Sequence, residues 1–197
     1  MIKAIIFDGV NCITYQEPLS VGLARDYNLP LEKTLPFFKG VLQDCVAGES
    51  DLKEVLPPFL EAWGWQSGVE GLLKYWFERD HKIDNELVSY INDLKERGIM
   101  CLLGTNNEKY RFAYMLDKMG FDKIFDKSYC SALLGCKKPD QEFFSKIYNE
   151  LENINKEEVL FWDDKAENVE SAKDFGINAE IYTNFIDFKE KIKKYSL

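Results

Sequence analysis

Short apolar runs alternate with helical patterns along much of this chain, and this alternation constrains the fold more than any other feature. The runs KAIIF, IMCLL, VLFW and AEIY are apolar on both faces, as the buried strands of a parallel sheet are. Helical patterns lie between the runs. The sequence therefore predicts an α/β fold, a doubly wound parallel sheet whose ligand site lies beyond the carboxyl ends of the strands.

One of these helices can be delimited from the sequence. In ELVSYINDLKERG, Leu87 and Leu94 fall on one apolar stripe, which predicts an amphipathic helix. Asn85 is the expected N-cap, and Gly98 the expected stop before the next strand.

The pattern changes between the first and second strands. From about Pro18 to Ile83, helical patterns follow one another with no strand between them. This predicts a helical insertion whose aromatic residues pack a small core of their own rather than stack on a substrate. The aromatic residues concerned are Phe59, Trp63, Trp65, Tyr75, Trp76 and Phe77.

Composition narrows the function classes. Hydrophobic residues make up 46% of the 197 residues and charged residues 30%, a balance typical of soluble globular proteins. The net charge of −9 argues against nucleic acid as a partner, because phosphate backbones are bound by clustered Lys and Arg. No apolar run is long enough for a membrane span or a signal peptide, so we expect no membrane partner and a cytoplasmic protein.

Cysteine and histidine usage gives little support to a disulfide framework or a zinc site. The five cysteines are odd in number and lack CxxC spacing, and most fall in apolar runs, so we expect buried free thiols. His81 is the only histidine, which also disfavours a histidine-based catalytic triad.

Four segments, FDGVN, LLGTNNEKY, CKKPDQEFF and VLFWDDKAENVESA, place polar side chains where a doubly wound sheet gathers its strand ends. The side chains concerned are Asp8, Thr105, Lys138, Asp163, Asp164 and Asn168. Each has an ordinary alternative taken alone, because aspartate and threonine often cap helices and a loop lysine is often only solvated. Their order and their common position after apolar strands favour a shared site.

The chemistry of such a site follows from its charges. Converging carboxylates repel one another in a low-dielectric cleft, so a positive group must lie among them. Mg²⁺ binds oxygen ligands, usually one or two carboxylates with water and substrate phosphate, which suits Asp8 and Asp164. Lys138 and the hydroxyl of Thr105 could then hold the remaining phosphate oxygens.

In these four motifs and their order, the sequence resembles the haloacid dehalogenase superfamily of hydrolases. The resemblance extends over nearly the whole chain, and KPDQEFF with FWDDKAENVESA is its most specific part. It implies a Rossmann-like catalytic core formed by residues 1–15 and 85–197, with a small all-helical cap at residues 16–84. It also implies a small phosphorylated molecule as substrate and leaves a homodimer open.

The resemblance also implies a role for each motif residue. Asp8 would attack phosphorus and form an aspartyl phosphate, a covalent route open to carboxylates. The transferred group would be bound by Thr105, Asn106 and Lys138. Mg²⁺ would be the cofactor. Its ligands would be Asp8, Asp164 and the backbone carbonyl of Val10, with Asp163 and Asn168 assisting from further out.

One position departs from the pattern of the family's phosphatases. Those enzymes usually carry a second aspartate two residues after the nucleophile, which protonates the leaving alcohol and later activates water. Val10 occupies that position here. A positioned acid or base contributes about 10² to 10⁴ in rate, so we expect a preference for activated leaving groups and an accumulating phospho-enzyme.

Other readings stay open at this stage. By sequence position alone, Cys12, Glu17 and His81 are candidates to replace the missing acid. A metal-independent dehalogenase, which attacks carbon, is disfavoured because both terminal aspartates and Lys138 are retained. A phosphate-binding or regulatory module without turnover is the main alternative, and Val10 is the observation that favours it.

Overall fold

The computed structural model describes residues 1–15 and 17–197. Within them the chain forms a five-stranded, fully parallel sheet with the strand order β3-β2-β1-β4-β5. The strands are β1 (Ala4–Phe7), β2 (Met100–Thr105), β3 (Lys127–Cys130), β4 (Val159–Asp163) and β5 (Asn178–Ile181). Because β1 lies between β2 and β4, the strand order reverses beside it, and this is where such sheets bind ligands.

The described helices fall into two groups. Six of them lie between β1 and α7 and form the helical insertion: α1 (Leu19–Tyr27), α2 (Leu31–Lys39), α3 (Val41–Ala47), α4 (Leu52–Val55), α5 (Pro57–Trp63) and α6 (Gly68–Arg79). The others flank the sheet: α7 (Asn85–Glu96), α8 (Lys109–Asp117), α9 (Phe121–Ile124), α10 (Ser131–Leu134), α11 (Gln141–Tyr148), α12 (Ala166–Phe175) and α13 (Phe185–Ile192). Short 3₁₀ helices cover Lys156–Glu158 and Lys193–Tyr195.

The central strand shows why both faces of the sheet are covered. Ile5 and Phe7 of β1 pack into one buried cluster with residues of α7, α8 and α13. Ala4 and Ile6, on the opposite face, pack into a second cluster with residues of α11 and α12. Successive residues of a strand point to opposite faces, so an all-apolar strand requires helices on both sides. The predicted α/β doubly wound fold is confirmed.

The helical insertion has a buried cluster of its own. Trp63, Trp76 and Phe77 are buried in that cluster, and Phe59, Trp65 and Tyr75 pack against it. The expectation that these aromatic residues form a core is confirmed, although Trp76 also lines the cavity described below. The insertion can therefore hold its shape through its own packing while it covers the sheet edge.

Two details differ from the sequence-based expectations. The strand β3 was not predicted, because its sequence KSYC begins with a lysine and a serine and occupies the edge of the sheet. The N-cap of α7 is Asp84 rather than Asn85, since the Asp84 carboxylate accepts the backbone N–H groups of Glu86 and Leu87. Both residues are good caps by type, and the backbone geometry decides between them.

The five cysteines are all free and buried, as expected. Within residues 1–15 and 17–197, no helix is both long and apolar enough to cross a membrane.

Candidate active site

The register of the sheet brings three of the four motifs to one place. Phe7 of β1 is paired with Leu103 of β2 and with Trp162 of β4. The next residue along β1 is Asp8, while β2 ends at Thr105 and β4 at Asp163. Parallel strands end at the same edge, so these side chains meet beyond the carboxyl ends of the three central strands.

Lys138 completes the site from the loop before α11. Its ammonium donates to Asp8 Oδ1 at 2.6 Å, to Asp163 Oδ2 at 2.7 Å and to the carbonyl of Gly104 at 2.8 Å. The residue is only 3% exposed, so these are charge-assisted hydrogen bonds in a dry environment. The three N–H groups of the Lys138 ammonium are therefore all hydrogen-bonded, two of them to predicted site carboxylates and the third to a backbone carbonyl of β2.

Burial and neighbouring charge act on these groups in opposite directions. Burial raises the pKa of Asp8 well above its usual value, and Asp163 and Asp164 raise it further, while Lys138 opposes both. Burial by itself would lower the pKa of the Lys138 ammonium, but the carboxylates of Asp8 and Asp163 raise it above its ordinary value. Lys138 therefore stays charged, and Asp8 needs further positive charge to stay fully ionised.

The two adjacent aspartates at the end of β4 have different surroundings. Asp163 is fully buried, and its Oδ1 accepts from the backbone of Lys165 and from the side chain of Asn168, each at 2.9 Å. Asp164 is half-buried and accepts from the amide of Asn11 at 3.0 Å. Asp163 thus holds Lys138 and Asn168 in place beneath the cavity, while Asp164 lines the cavity itself.

The loop after β2 is fixed by its two asparagines. Asn106 exchanges two hydrogen bonds with the backbone of Lys138, at 2.8 and 3.0 Å. The amide of Asn107 donates to the hydroxyl of Thr105 at 2.9 Å. Thr105 is fully buried and does not line the cavity, whereas both asparagines do. The N-cap of α8 is Glu108, so Thr105 is not a helix cap.

A cavity of about 290 Å³ lies directly above these groups. We call its sheet side the floor, where Asp8, Asn106, Lys138, Asp164 and Asn168 are exposed to it. We call the opposite side the roof, formed by residues of the helical insertion. The roof residues are Pro18, Leu19, Ser20, Phe38, Leu42, Val46 and Trp76.

The donor set of the floor fits a hard divalent cation. Asp8, Asp163 and Asp164 each offer a carboxylate oxygen, and these oxygens lie within 4.8 Å of one another. The Oδ1 atom of Asn168 is buried and has no hydrogen-bond partner among the described residues. Three carboxylates against one ammonium leave two negative charges, which Mg²⁺ would balance with the oxygen ligands that it prefers.

The position of the missing acid lies in this cavity, and its side chain is apolar. Val10 lines the cavity together with Asp8. None of Cys12, Glu17 and His81 is among the described residues that line it.

The surroundings of Cys12 and Glu17 do not suit an acid, and His81 has a partner outside the cavity lining. Burial raises the pKa of the Cys12 thiol well above its usual value, and the charge of Asp8 adds to this effect. Glu17 is held by Arg25 and Arg79 at 2.7 and 3.1 Å, and His81 contacts the hydroxyl of Tyr114 at 3.0 Å.

Three residues of the site were not among the site residues predicted from the sequence. Asn11 adopts a positive φ of 62°, which asparagine tolerates better than most residues, and this turn directs its amide to Asp164. Glu108 and Arg111 line the cavity from the start of α8. The asparagine pair at positions 106 and 107 indicated this loop in the sequence. Arg111 reaches the cavity only because it lies in the first turn of α8.

Arg111 belongs to a buried group of charges that joins the insertion to the core. Its Nη2 lies 3.3 Å from Asp80 Oδ2, and its guanidinium lies 5.5 Å from the ring centroid of Trp76. Burial lowers the pKa of Arg111, and the charges of Asp80 and Glu108 oppose that effect. The positive charge at this wall is therefore balanced by acids of the protein itself.

Comparison with known proteins agrees with this architecture. The family model for haloacid dehalogenase-like hydrolases matches residues 61–181, more than half of the chain. The chain belongs to the haloacid dehalogenase-like hydrolase family. The matched region contains the motifs of Thr105, Lys138 and Asp163 but begins after Asp8, so the place of Asp8 in the site rests on its contacts with Lys138.

Solved structures resemble the whole chain. A predicted hydrolase of this family from Porphyromonas gingivalis superposes with a TM-score of 0.82 at 21% identity, covering 100% of this chain and 98% of the other. A family enzyme from Bacteroides thetaiotaomicron, in complex with magnesium and inorganic phosphate, gives a TM-score of 0.80 at 16% identity, covering 95% and 99%. At such identities the likeness establishes the fold.

One curated relative is closer in sequence but only in part. The sesquiterpene phosphatase astK of Aspergillus oryzae is 33% identical over 95 residues, which are 48% of this chain. The match spans 47% of that relative, so less than half of its length is represented here.

Proposed function

We propose that the chain is a Mg²⁺-dependent phosphohydrolase that acts on a small phosphorylated metabolite, with Asp8 as its nucleophile. One observation carries the proposal. Asp8, Asp163 and Asp164 converge at the floor of a cavity large enough for a small molecule, and the buried ammonium of Lys138 pairs with Asp8 and Asp163.

Asp8 is prepared for attack by its contacts. Lys138 holds Oδ1, and Oδ2 accepts no hydrogen bond from a described residue. That second oxygen is available to attack a phosphorus atom in the cavity. As the new O–P bond forms, the bond from phosphorus to the leaving oxygen breaks and its electron pair stays with the leaving group. Water then attacks the aspartyl phosphate and releases Asp8 and inorganic phosphate.

The other floor residues hold charge and position. Lys138, through its charge, and the backbone N–H of Asn106 would stabilise the negative oxygens of the transferred group. Asp8, Asp164, the carbonyl of Val10 and the Asp163–Asn168 pair would hold the metal. When bound, Mg²⁺ would neutralise the carboxylates and polarise the phosphoryl group. Asn11 would keep Asp164 in place through its amide, as groups outside a metal's ligand shell commonly do.

The known proteins support the class of reaction. The relative from Aspergillus oryzae is a phosphatase by name, and the structural neighbour from Bacteroides thetaiotaomicron binds magnesium and phosphate. Retention of both terminal aspartates with Lys138 favours phosphoryl transfer over attack on carbon, because dehalogenation needs no metal.

The test is hydrolysis of acetyl phosphate and p-nitrophenyl phosphate with and without Mg²⁺. Both have good leaving groups, so neither depends on the acid that Val10 cannot supply. We expect metal-dependent turnover that Asp8→Asn reduces by more than about 10⁴-fold, while the exposed Asp174→Asn on α12 leaves it unchanged. Intact-mass measurement during turnover should show a phosphorylated protein, since no positioned base speeds its hydrolysis.

The opposite outcomes are equally informative. Absence of turnover of both substrates, with phosphate still bound, would leave a phosphate-binding module. Turnover that is indifferent to chelation of metal would contradict the proposed dependence on Mg²⁺.

A further inference from the structure

The roof of the cavity differs from the floor in chemistry. Among the described residues of the insertion, Ser20 is the only polar side chain that lines the cavity. The remaining roof side chains are those of Pro18, Leu19, Phe38, Leu42, Val46 and Trp76. They come from four regions of the insertion, namely the start of α1, α2, α3 and α6, so the apolar surface is assembled from separate helices rather than from one stripe.

The polar atoms near the roof are already engaged. The indole N–H of Trp76 donates to Asp80 at 3.1 Å, and Arg111 is paired with the same carboxylate. Both oxygens of Glu108 accept backbone N–H groups at the start of α8. A sugar or nucleotide would need several unengaged donors and acceptors, since a buried hydroxyl without a partner is costly. The described roof offers the hydroxyl of Ser20.

The size of the cavity limits the occupant as well. At about 290 Å³ it lies at the small end of the range for ligand sites, and the phosphoryl group takes part of that volume. What remains suits a compact group rather than a long chain or a dinucleotide.

We propose that the substrate is a phosphate monoester of a compact, hydrocarbon-rich phenol, whose apolar part packs under Leu42, Val46 and Trp76. This inference rests on the proposed function, because the floor must bind the phosphoryl group for the roof to contact the rest. Burial of apolar surface provides the affinity, and selectivity arises because polar leaving groups lose their hydration without replacement.

The experiment compares two aryl phosphates that share a phenol-type leaving group. One is 4-ethylphenyl phosphate. The other is O-phosphotyrosine, in which the terminal carbon of the ethyl group carries an ammonium and a carboxylate. We expect kcat/KM for 4-ethylphenyl phosphate to be at least about 100-fold higher, mostly through KM, since the roof cannot solvate the charged substituents.

A pair of matched variants assigns the preference to the roof. Val46 and Val55 are both half-buried and both pack against the core of the insertion, but only Val46 lines the cavity. We expect Val46→Asn to reduce the preference about tenfold and Val55→Asn to leave it unchanged. Equal kcat/KM for the two esters, or an equal effect of both variants, would overturn the inference.

A binding measurement separates this inference from the proposed function. If acetyl phosphate and both aryl esters are not hydrolysed, the proposed function fails. The inference then stands or falls on calorimetric titration with Mg²⁺ present. Tighter binding of 4-ethylbenzylphosphonate than of 2-aminoethylphosphonate by about 100-fold supports it, and equal binding contradicts it.

Discussion

The floor and the roof of the cavity are built in different ways. Floor side chains are charged or amide groups, and short hydrogen bonds hold them, as in the contacts of Lys138 with Asp8 and Asp163 at 2.6 and 2.7 Å. Roof side chains are almost all apolar and are held by the packing of helices around Trp76 and its neighbours. On the functions proposed above, the ends of strands supply the chemistry of this site, while an insertion with its own core supplies its selectivity.

The sharpest test of this division is Val10, an apolar side chain that lines the cavity two residues after the nucleophile. Val10→Asp should raise turnover of an unactivated alkyl phosphate by about 10² to 10⁴ and that of an aryl phosphate far less, because only the alkoxide needs a proton. The measurement is kcat for benzyl and phenyl phosphate. Val10→Asn, similar in size but without an acidic proton, serves as control, and an equal gain from it would mean that polarity alone matters.

The next largest effect concerns Lys138, the buried ammonium of the floor. Lys138→Ala leaves the buried carboxylates of Asp8 and Asp163 without their partner, so the free energy of unfolding should fall by roughly 3 to 5 kcal/mol. Urea unfolding with and without Mg²⁺ measures this loss, and Mg²⁺ should recover part of it. The control is Lys137→Ala, a half-buried neighbour without an ion pair among the described residues. Comparable losses in the two variants would contradict this account of the floor.

A smaller effect is expected from Asn11, which orients Asp164. Asn11→Gly keeps the positive φ but removes the amide, so Mg²⁺ should bind about 10- to 100-fold more weakly. The increase of the melting temperature with Mg²⁺ concentration provides the readout. Asn28→Gly is the matched control, because Asn28 has a φ of 53° at the end of α1, away from the site. An unchanged Mg²⁺ affinity in Asn11→Gly would remove Asn11 from the metal site.

The smallest effect concerns the contact that holds the roof over the floor. Ser131 donates to the carbonyl of Val46 at 2.6 Å, and a Cβ on Gly48 would clash with the carbonyl oxygen of Ala132. Gly48→Ala should therefore cost about 1 kcal/mol more in unfolding free energy than Gly64→Ala. Both glycines have positive φ, but Gly64 has free space around it. Thermal unfolding measures the difference in stability between the two variants. KM for 4-ethylphenyl phosphate should rise only in Gly48→Ala. If the two variants melt alike, this contact does not fix the roof.

Much of the fold could be read from local patterns. The all-apolar runs at β1, β2 and β4 and the helical texture of residues 18–83 required only side-chain periodicity. The edge strand β3 was not predicted because Lys127 and Ser128 give it no apolar pattern. Its strand conformation is stabilised by hydrogen bonding to β2, which the local sequence does not show. Asp84 replaced Asn85 as a cap because the choice depends on backbone angles, which composition does not encode.

The charged residues of the floor could be identified from the sequence alone, since each follows an apolar strand or precedes a helix in a recognisable order. The roof could be identified only from the three-dimensional arrangement of the helices. Leu19, Phe38, Val46 and Trp76 are distant in sequence and look like ordinary core residues, and they share a cavity because separate helices of the insertion pack together above the sheet. Strand ends converge through the local rule of parallel pairing, whereas an apolar surface between helices depends on how those helices pack in three dimensions.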